Sequence, residues 1–572
     1  LYAVFRFFEQ FQDRSLKNIS KWLGIFAVYS VIAVLIAAVV LLPVILPVFG
    51  TDRFKAENYV PLFYDRIYYE KYLGCLIGEN MIQWGVAGYS AVSLAGVFVL
   101  FSRRKKYRTL KAGFVMLNLF LLLPFAGHVL NGFSYVSNRW IWAYGMLIAY
   151  IFVKIYPDLF TLTLKEKRRM FVISLVYCGL ALFWNASRTQ RNLMAVLILS
   201  ISVFVILTYG TVFVKKKNLT IMLSGLLITG IGFNIYYQYS LEKDYLSEFA
   251  EQGEAMSKLE AGTDLAVLDA GDDSLYRYDQ MDALSCENSS MHMGTNGTAY
   301  YFSVASESIG RFFDEMYLNT PWEQHYENLD SRTILDRLAA VKYFVVDKNG
   351  NRYLPYGFTE VKGESKKEKK EYKAYRNNIE LPLGYTYDSY IPRSEYEKMS
   401  VTEKQQALLQ GVVMEDSFLP ETEPVYNDKE LSYRMIAGKG VKVKDGKITV
   451  TKENAILKLV FHGLSDSETY LVTENLNYDG LSPRELISDK KWEKMTPYKQ
   501  NQVLYENNNW RYWKESQKAS IKVSGNFPAK TIRIFTDKYN AYSGKHNFLC
   551  NTGYDKNNRT SIMLTFENTG VY

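Results

Sequence analysis

WLGIFAVYSVIAVLIAAVVLLPVILPVFGT, residues 22–51, carries no Asp, Glu, Lys or Arg along its whole length. A helix crosses the hydrocarbon of a bilayer in about 20 residues, and it can do so because all its backbone polar groups bond within the segment. The stretch therefore reads as a membrane span. Further charge-free windows of comparable length cover residues 80–102, 112–138, 170–187, 192–214 and 218–241. A seventh, 140–156, holds only Lys154 near its end, where the ammonium can reach the headgroups along its own alkyl stem. The expectation is a polytopic α-helical membrane protein with about seven spans in residues 1–241.

The average composition hides this. With 48% hydrophobic and 22% charged residues over 572 positions, and a mean hydropathy of −0.12, the chain would pass for soluble. Residues 1–241 hold 25 Lys and Arg against 9 Asp and Glu, a net +16, which leaves 42 against 50, a net −8, for the remainder. An apolar basic half followed by an acidic globular half excludes a disordered chain, a collagen and a purely cytosolic enzyme.

Basic loops resist translocation, so the loop charges assign direction. Counted by alternate connections, one set of loops holds 18 Lys and Arg and the other seven. The richer set is expected in the cytoplasm, and an odd number of crossings then puts everything after Leu241 outside.

In that outer half, residues 242–393 mix short apolar runs such as 265–268 and 341–346 with helical stretches such as 331–340, which predicts an α/β unit. Residues 394–430 read as a helical connector. Residues 431–572 switch to short alternating strands at 447–450, 455–461, 469–473, 519–523, 531–535 and 561–566, separated by Gly, Asn and Asp turns. That spacing predicts a β-sandwich of jelly-roll type. Its Trp492, Trp510, Trp513, Tyr539 and Tyr542 can serve core packing or stacking on sugar faces. The run GESKKEKKEYK at 363–373 reads as a solvated loop or hairpin tip.

Signatures of soluble enzymes are missing: the sequence has no Walker loop, no G-x-S-x-G, no H-E-x-x-H and no C-x-x-C. Five scattered histidines give no metal spacing, and residues 347–351 read as a turn rather than a calcium loop. No metal, cofactor or nucleic acid is expected. Cys75 and Cys178 read as small buried side chains, while Cys286 and Cys550 could pair, although nothing in their spacing demands it.

The most informative stretch is HVLNGFSYVSNRW, residues 128–140, between the third and fourth spans on the expected outer face. Arg139 opposes the local charge bias there. It could simply anchor a helix at the headgroups; alternatively, with Asn131, Ser134, Tyr135 and Asn138 beside it, its guanidinium fork could hold the phosphate of a lipid-linked donor. A second candidate is the outer loop 51–79, with Arg53, Tyr64, Asp65, Arg66, Tyr68, Tyr69 and Glu70. It reads as an amphipathic helix lying on the membrane, with Asp65 or Glu70 as a conceivable general base. Arg188 and Arg191 could complete a ring of outer cations.

At these residues the chain resembles the bacterial YfhO family of polytopic membrane proteins. The strings are LLPV followed by FGTDRF within 41–54, NGFSYVSNRW at 131–140, LAAVKYFVV at 338–346, LPLGYTYDSYI at 381–391 and AYSGKHNFLCNTGY at 541–554. The resemblance implies a GT-C-like glycosyltransferase that moves a sugar from a polyprenyl-phosphate carrier to an extracytoplasmic acceptor such as lipoteichoic acid, a cell-wall polymer. Arg139 and Arg53 would then bind the donor phosphate, and Asn138 and Asn131 would orient the headgroup or the arginine. The family's catalytic acid is expected in a first outer loop upstream of this chain, which reads as a piece cut at both ends, so no catalytic residue is assigned. A lipid or sugar transporter or flippase, and a non-enzymatic envelope scaffold, are the other classes to be separated from this one.

Overall fold

The computed structural model describes residues 15–50, 60–78, 85, 87–184, 187–209, 216–239, 251–255, 262–268, 270–281, 288–302, 304–319, 325–347, 354–361, 372–513, 518–536, 545–555 and 561–572. Arg53, Cys286, Tyr539, Tyr542, most of the 347–351 turn and most of the 363–373 charge run lie outside them, as does the side chain of Trp513. The chain divides into two compact units, Leu1–Leu46 with Glu57–Phe249 and Pro47–Ala56 with Ala250–Tyr572.

The first unit is helical. Its helices are α1 (Leu16–Phe49), α2 (Arg66–Ile77), α3 (Ala91–Ser102), α4 (Arg108–Leu122), α5 (Pro124–Leu130), α6 (Ile141–Ile155), α7 (Leu164–Ala181), α8 (Gln190–Tyr209) and α9 (Lys216–Tyr239). Each charge-free window thus meets a helix or a helix pair. Four are long and apolar enough to cross a membrane: α1, α6 with the 3-10 turn that follows it, α8 and α9. A fifth arises if α4 and α5, bent by 99° at their junction, count as one.

The other two windows look different in three dimensions. Helix α3 has only 12 residues, and ten of them are buried. At 1.5 Å per residue it extends roughly 18 Å, short of a hydrocarbon core of about 30 Å. It is apolar all round because α6, α7, α8 and α9 pack on it from several sides. Helix α7 begins inside the basic loop instead of at the apolar window. Thr163 caps it, accepting from the Glu166 backbone N–H while the Glu166 carboxylate accepts from the Thr163 N–H at 2.9 Å.

In the second unit, a four-stranded mixed sheet runs in the order Arg277–Gln280, Val341–Asp347, Tyr372–Asn377, Phe358–Glu360, the first pair parallel and the others antiparallel. Val341–Asp347 is buried on both faces along most of its length, which explains its unbroken apolar reading. The expected connector is part of this body: Tyr396 of one short helix and Ala407 of the next share a core with Phe344 and Val346.

The C-terminal β-rich part bears out the strand reading at all six windows. A five-stranded antiparallel sheet has the order Lys530–Phe535, Lys518–Ser524, Ser561–Phe566, Ala455–Phe461, Tyr433–Ala437. Its alternate residues Leu457, Ile521, Ile532 and Phe566 enter one core, joined by Val450, Phe548 and Cys550 from two smaller sheets.

Candidate functional site

The bend between α4 and α5 has a local cause. Proline has no N–H and its ring clashes with the preceding turn, so a helix reaching Pro124 must stop and restart. The Phe120 carbonyl is still met by the Leu123 N–H at 3.3 Å. The next two carbonyls are met from elsewhere: the Tyr68 hydroxyl donates to Leu121 O at 2.6 Å and the Tyr69 hydroxyl to Leu122 O at 2.9 Å. Broken helices at membrane depth persist where neighbours re-satisfy the freed backbone in this way.

Tyr68 and Tyr69 belong to a row that starts at Tyr64 and ends at Tyr72. The Tyr64 and Tyr68 rings stack with centroids 4.0 Å apart. Tyr72 donates to the Asn118 carboxamide oxygen at 2.7 Å, and the Asn118 NH2 donates to Tyr144 at 2.9 Å. Asn118 is a polar residue within the apolar stretch 112–124 of the 112–138 window, and its polarity is used inside the unit.

Beyond α5 the chain reverses through Gly132 and Phe133, both with positive φ (69° and 59°). The Phe133 N–H reaches back to His128 O at 2.9 Å and the Asn131 amide donates to Tyr135 O at 2.9 Å. A left-handed phenylalanine is a strained conformation for a bulky residue, and this one is 63% exposed. The turn delivers Asn138 into the interior, where its NH2 donates to the Tyr64 hydroxyl at 3.1 Å and the Tyr68 hydroxyl at 3.3 Å. Its backbone carbonyl accepts from Ile141 and so starts α6. Gly127 lies against the Asn138 amide and the Tyr64 hydroxyl, with no room for a side chain to spare.

The two stretches singled out in the sequence are therefore one place: the 60–78 segment and the 128–140 segment meet through Tyr64, Tyr68 and Asn138. Arg139 follows immediately, exposed, with its guanidinium 5.8 Å from the centre of the Tyr135 ring. Asn131 is half-buried in the turn, and Arg53 lies outside the described residues. Asn138 holds the loop rather than presenting its amide at the surface.

The remaining candidates are dispersed. Glu70 is buried and bonded to Arg66 at 2.7 Å, and Arg66 in turn lies 5.6 Å from the Trp184 ring centre. Asp65 is exposed at the start of α2. Arg188 donates to Leu182 O at 2.8 Å and Phe183 O at 3.2 Å, closing the end of α7. Helix α2 forms as expected, but its second half is enclosed instead of lying on a surface. Gly74 and Gly78, one turn apart, form a groove filled by the Asn192 side chain. The roles of Asn118, Tyr72 and Asn192 were missed in the sequence, where a lone Asn in an apolar window and a G-x-x-x-G spacing were the available signals.

The second unit has its own polar concentration. Asp330 pairs with Lys530 and with Arg332 at 3.2 Å, and accepts from the Asn551 N–H at 2.6 Å. Thr333 donates to Glu468, whose other oxygen accepts from Tyr470 at 2.6 Å. Nearby, Asp279 and Asp336 are fully buried. Burial, and for Asp336 also the Asp279 carboxylate beside it, raises both above the ordinary carboxylate range, and burial raises Glu468 likewise. With no exposure to solvent, the Asp279 and Asp336 carboxyls have no path to a substrate, and the cluster is a joint between the mixed sheet and the β-rich part. Among the described residues no group of His, Cys, Asp and Glu is arranged to hold a metal ion.

A family model described as "Bacterial membrane protein YfhO" matches residues 1–570. Among curated proteins, "Uncharacterized protein YfhO" of Bacillus subtilis (strain 168) is 25% identical over 383 residues, which is 64% of this chain and 43% of that protein. The match thus spans less than half of that relative's length. No solved structure matches significantly.

Proposed function

The chain belongs to the YfhO family of bacterial membrane proteins, and from that premise we propose that the protein it represents is a membrane glycosyltransferase. It would take a sugar from a polyprenyl-phosphate carrier and pass it to an extracytoplasmic acceptor such as lipoteichoic acid. The observation that carries this reading is Arg139: an exposed guanidinium set over Tyr135, on a backbone fixed one residue earlier by the buried Asn138. A cation that departs from the charge bias of its loop, at the rim of a broken helix, suits the phosphate of a lipid-borne donor.

In the transfer, an acceptor hydroxyl oxygen bonds to the anomeric carbon as the bond from that carbon to the carrier phosphate breaks, and the hydroxyl proton passes to a general base or to the departing phosphate. Arg139, with Arg53, would hold the phosphate as it gains charge, which lowers the barrier only if the cations are already in place. Asn131 shapes the turn that presents Arg139. Seven crossings, with the acidic bulk after Leu241 outside, would put a jelly-roll-like domain on the side where wall polymers lie. The excess of 18 over seven cations in alternate loops supports that sidedness.

The test is transfer from polyprenyl-phosphate sugar to wall polymer by the full-length protein carrying Arg139→Ala, expressed at the parental level. Transfer should be lost and partly kept in Arg139→Lys, which retains the charge without the fork; undiminished transfer in Arg139→Ala overturns the assignment.

The 99° break between α4 and α5 favours a second reading, a lipid or sugar transporter or flippase, because interrupted helices recur at transport sites. Reconstituted vesicles separate the two. A transporter moves the lipid-linked sugar across the bilayer unchanged, whereas a transferase consumes it and glycosylates the acceptor.

A further inference from the structure

Three basic segments far apart in sequence close over one end of the helical unit. The first runs from Arg103 to Lys111, the second from Pro157 to Arg169, and the third lies around Leu207 and Lys216. Arg103 binds Asp158 at 3.1 Å and Glu166 at 3.4 Å and donates to Thr161 at 2.8 Å. Arg169 donates to Ser102 O at 3.0 Å. Lys167 reaches Leu207 O from the second segment to the third, and the Lys216 ammonium sits 5.7 Å from the centre of the Phe160 ring.

These contacts sort the cations into two groups. Arg103, Lys167 and Arg169 hold the segments together, and with Lys106, 3.5 Å from Asp158, they engage both acids of this end. Left at the surface are Arg104, Lys105 and Arg108 on the first segment, Lys165 and Arg168 on the second, and Lys216 and Lys217 on the third. Asp158 and Glu166 are the two acids in segments 101–111, 156–169 and 216–218, and neither is exposed. Like charges crowded on a fixed frame repel one another, and a partner rich in negative charge relieves that repulsion. Leu164, 68% exposed beside Lys165, adds an apolar contact at the same rim, which suits a boundary between headgroups and acyl chains.

We propose that this face docks anionic phospholipid headgroups, so that the end of the helical unit is seated on a negatively charged leaflet. The proposal is independent of the glycosyltransferase reading. The tethering contacts fix where the exposed cations stand, and a lipid surface meets all three segments at once, as a small soluble anion cannot.

The experiment uses the full chain, purified in neutral detergent and moved to nanodiscs of phosphatidylcholine with or without phosphatidylglycerol. Lipid retention is read by native mass spectrometry and stability by thermal melting. Phosphatidylglycerol should be retained preferentially and raise the melting temperature, and both effects should fade at high salt. Neutralising Arg104, Lys105, Arg108, Lys216 and Lys217 to Gln should lower the preference by about 10-fold or more. The same number of changes at Lys439, Lys442, Lys444, Lys447 and Lys452 should leave it unchanged. Equal retention of the two lipids by the unaltered chain, full retention by the five-site variant, or displacement of the lipid by an equal concentration of glycerol phosphate would each overturn the proposal. The arm with the unaltered chain stands even if the variant fails to fold.

Discussion

The Tyr68 hydroxyl donates to the backbone carbonyl of Leu121 at 2.6 Å, and the two residues are 53 positions apart. Pro124 stops α4, and Tyr68 supplies a donor that the continuing helix would have offered. The same hydroxyl accepts from Asn138, so one side chain ties the first candidate segment to the break and to the loop carrying Arg139.

Tyr68→Phe keeps the ring and deletes that donor. A buried carbonyl left without a partner costs about 1–3 kcal/mol, so the variant should melt earlier in detergent than the parent. Tyr69→Phe should act alike through Leu122. The double variant should depart from the sum of the two, because the carbonyls are adjacent in one turn.

Gly74→Ala or Gly78→Ala puts a methyl group where the Asn192 carboxamide lies. Overpacking of this kind costs about 1–3 kcal/mol. Adding Asn192→Ala should recover part of the loss, with a coupling of about 0.5–3 kcal/mol in a double-mutant cycle read by thermal unfolding. Strict additivity would mean that the groove does not accommodate the amide.

Asp336 gives a pH signature. Burial and the neighbouring Asp279 carboxylate raise its pKa far above its unfolded value. The folded chain therefore holds more protons than the unfolded chain from about pH 4 up to the raised pKa. Stability from this group is present below that window and is lost as pH rises through it. Asp336→Asn should match the parent at low pH and exceed it at neutral pH in denaturant titrations. Asp272 has the opposite sign: bonded to Lys342 at 2.5 Å, it has a depressed pKa and contributes stability above its unfolded pKa that is lost as pH falls. Asp272→Asn should therefore destabilise at neutral pH and matter little in acid.

Asp330 holds two cations, Arg332 with a fully buried side chain and Lys530 one-tenth exposed. Asp330→Ala leaves both without their shared anion, and breaking a buried pair from one side costs about 3–5 kcal/mol. Replacing Asp330, Arg332 and Lys530 together by apolar residues of similar size should cost much less, as chemical denaturation of the full chain would show.

Much of the architecture was legible because its causes are local. Freedom from charge over twenty or more residues marks a segment for an apolar surrounding, and every such window holds helix. Alternation at 455–461 and 519–523 reports one buried face, and both windows are strands with alternate residues buried. Thr163 with Glu166 and Ser400 with Glu403 have capping-box spacing and form capping boxes.

The sequence by itself determined which segments avoid water, which windows hold helix or strand, and the contrast between a basic apolar half and an acidic globular one. Tertiary structure alone decided that α3 is wrapped by other helices and that Asn138 enters the interior against Tyr64, 74 positions away. It also decided that Asp330 meets Asn551 across 221 positions. The physical reason is range. Periodicity and capping depend on neighbours a few residues along the chain. A hydroxyl finding a severed helix end, or an amide filling a groove between two glycines, depends on which surfaces pack together, and that choice is made by the sum of many weak contacts that no single stretch contains.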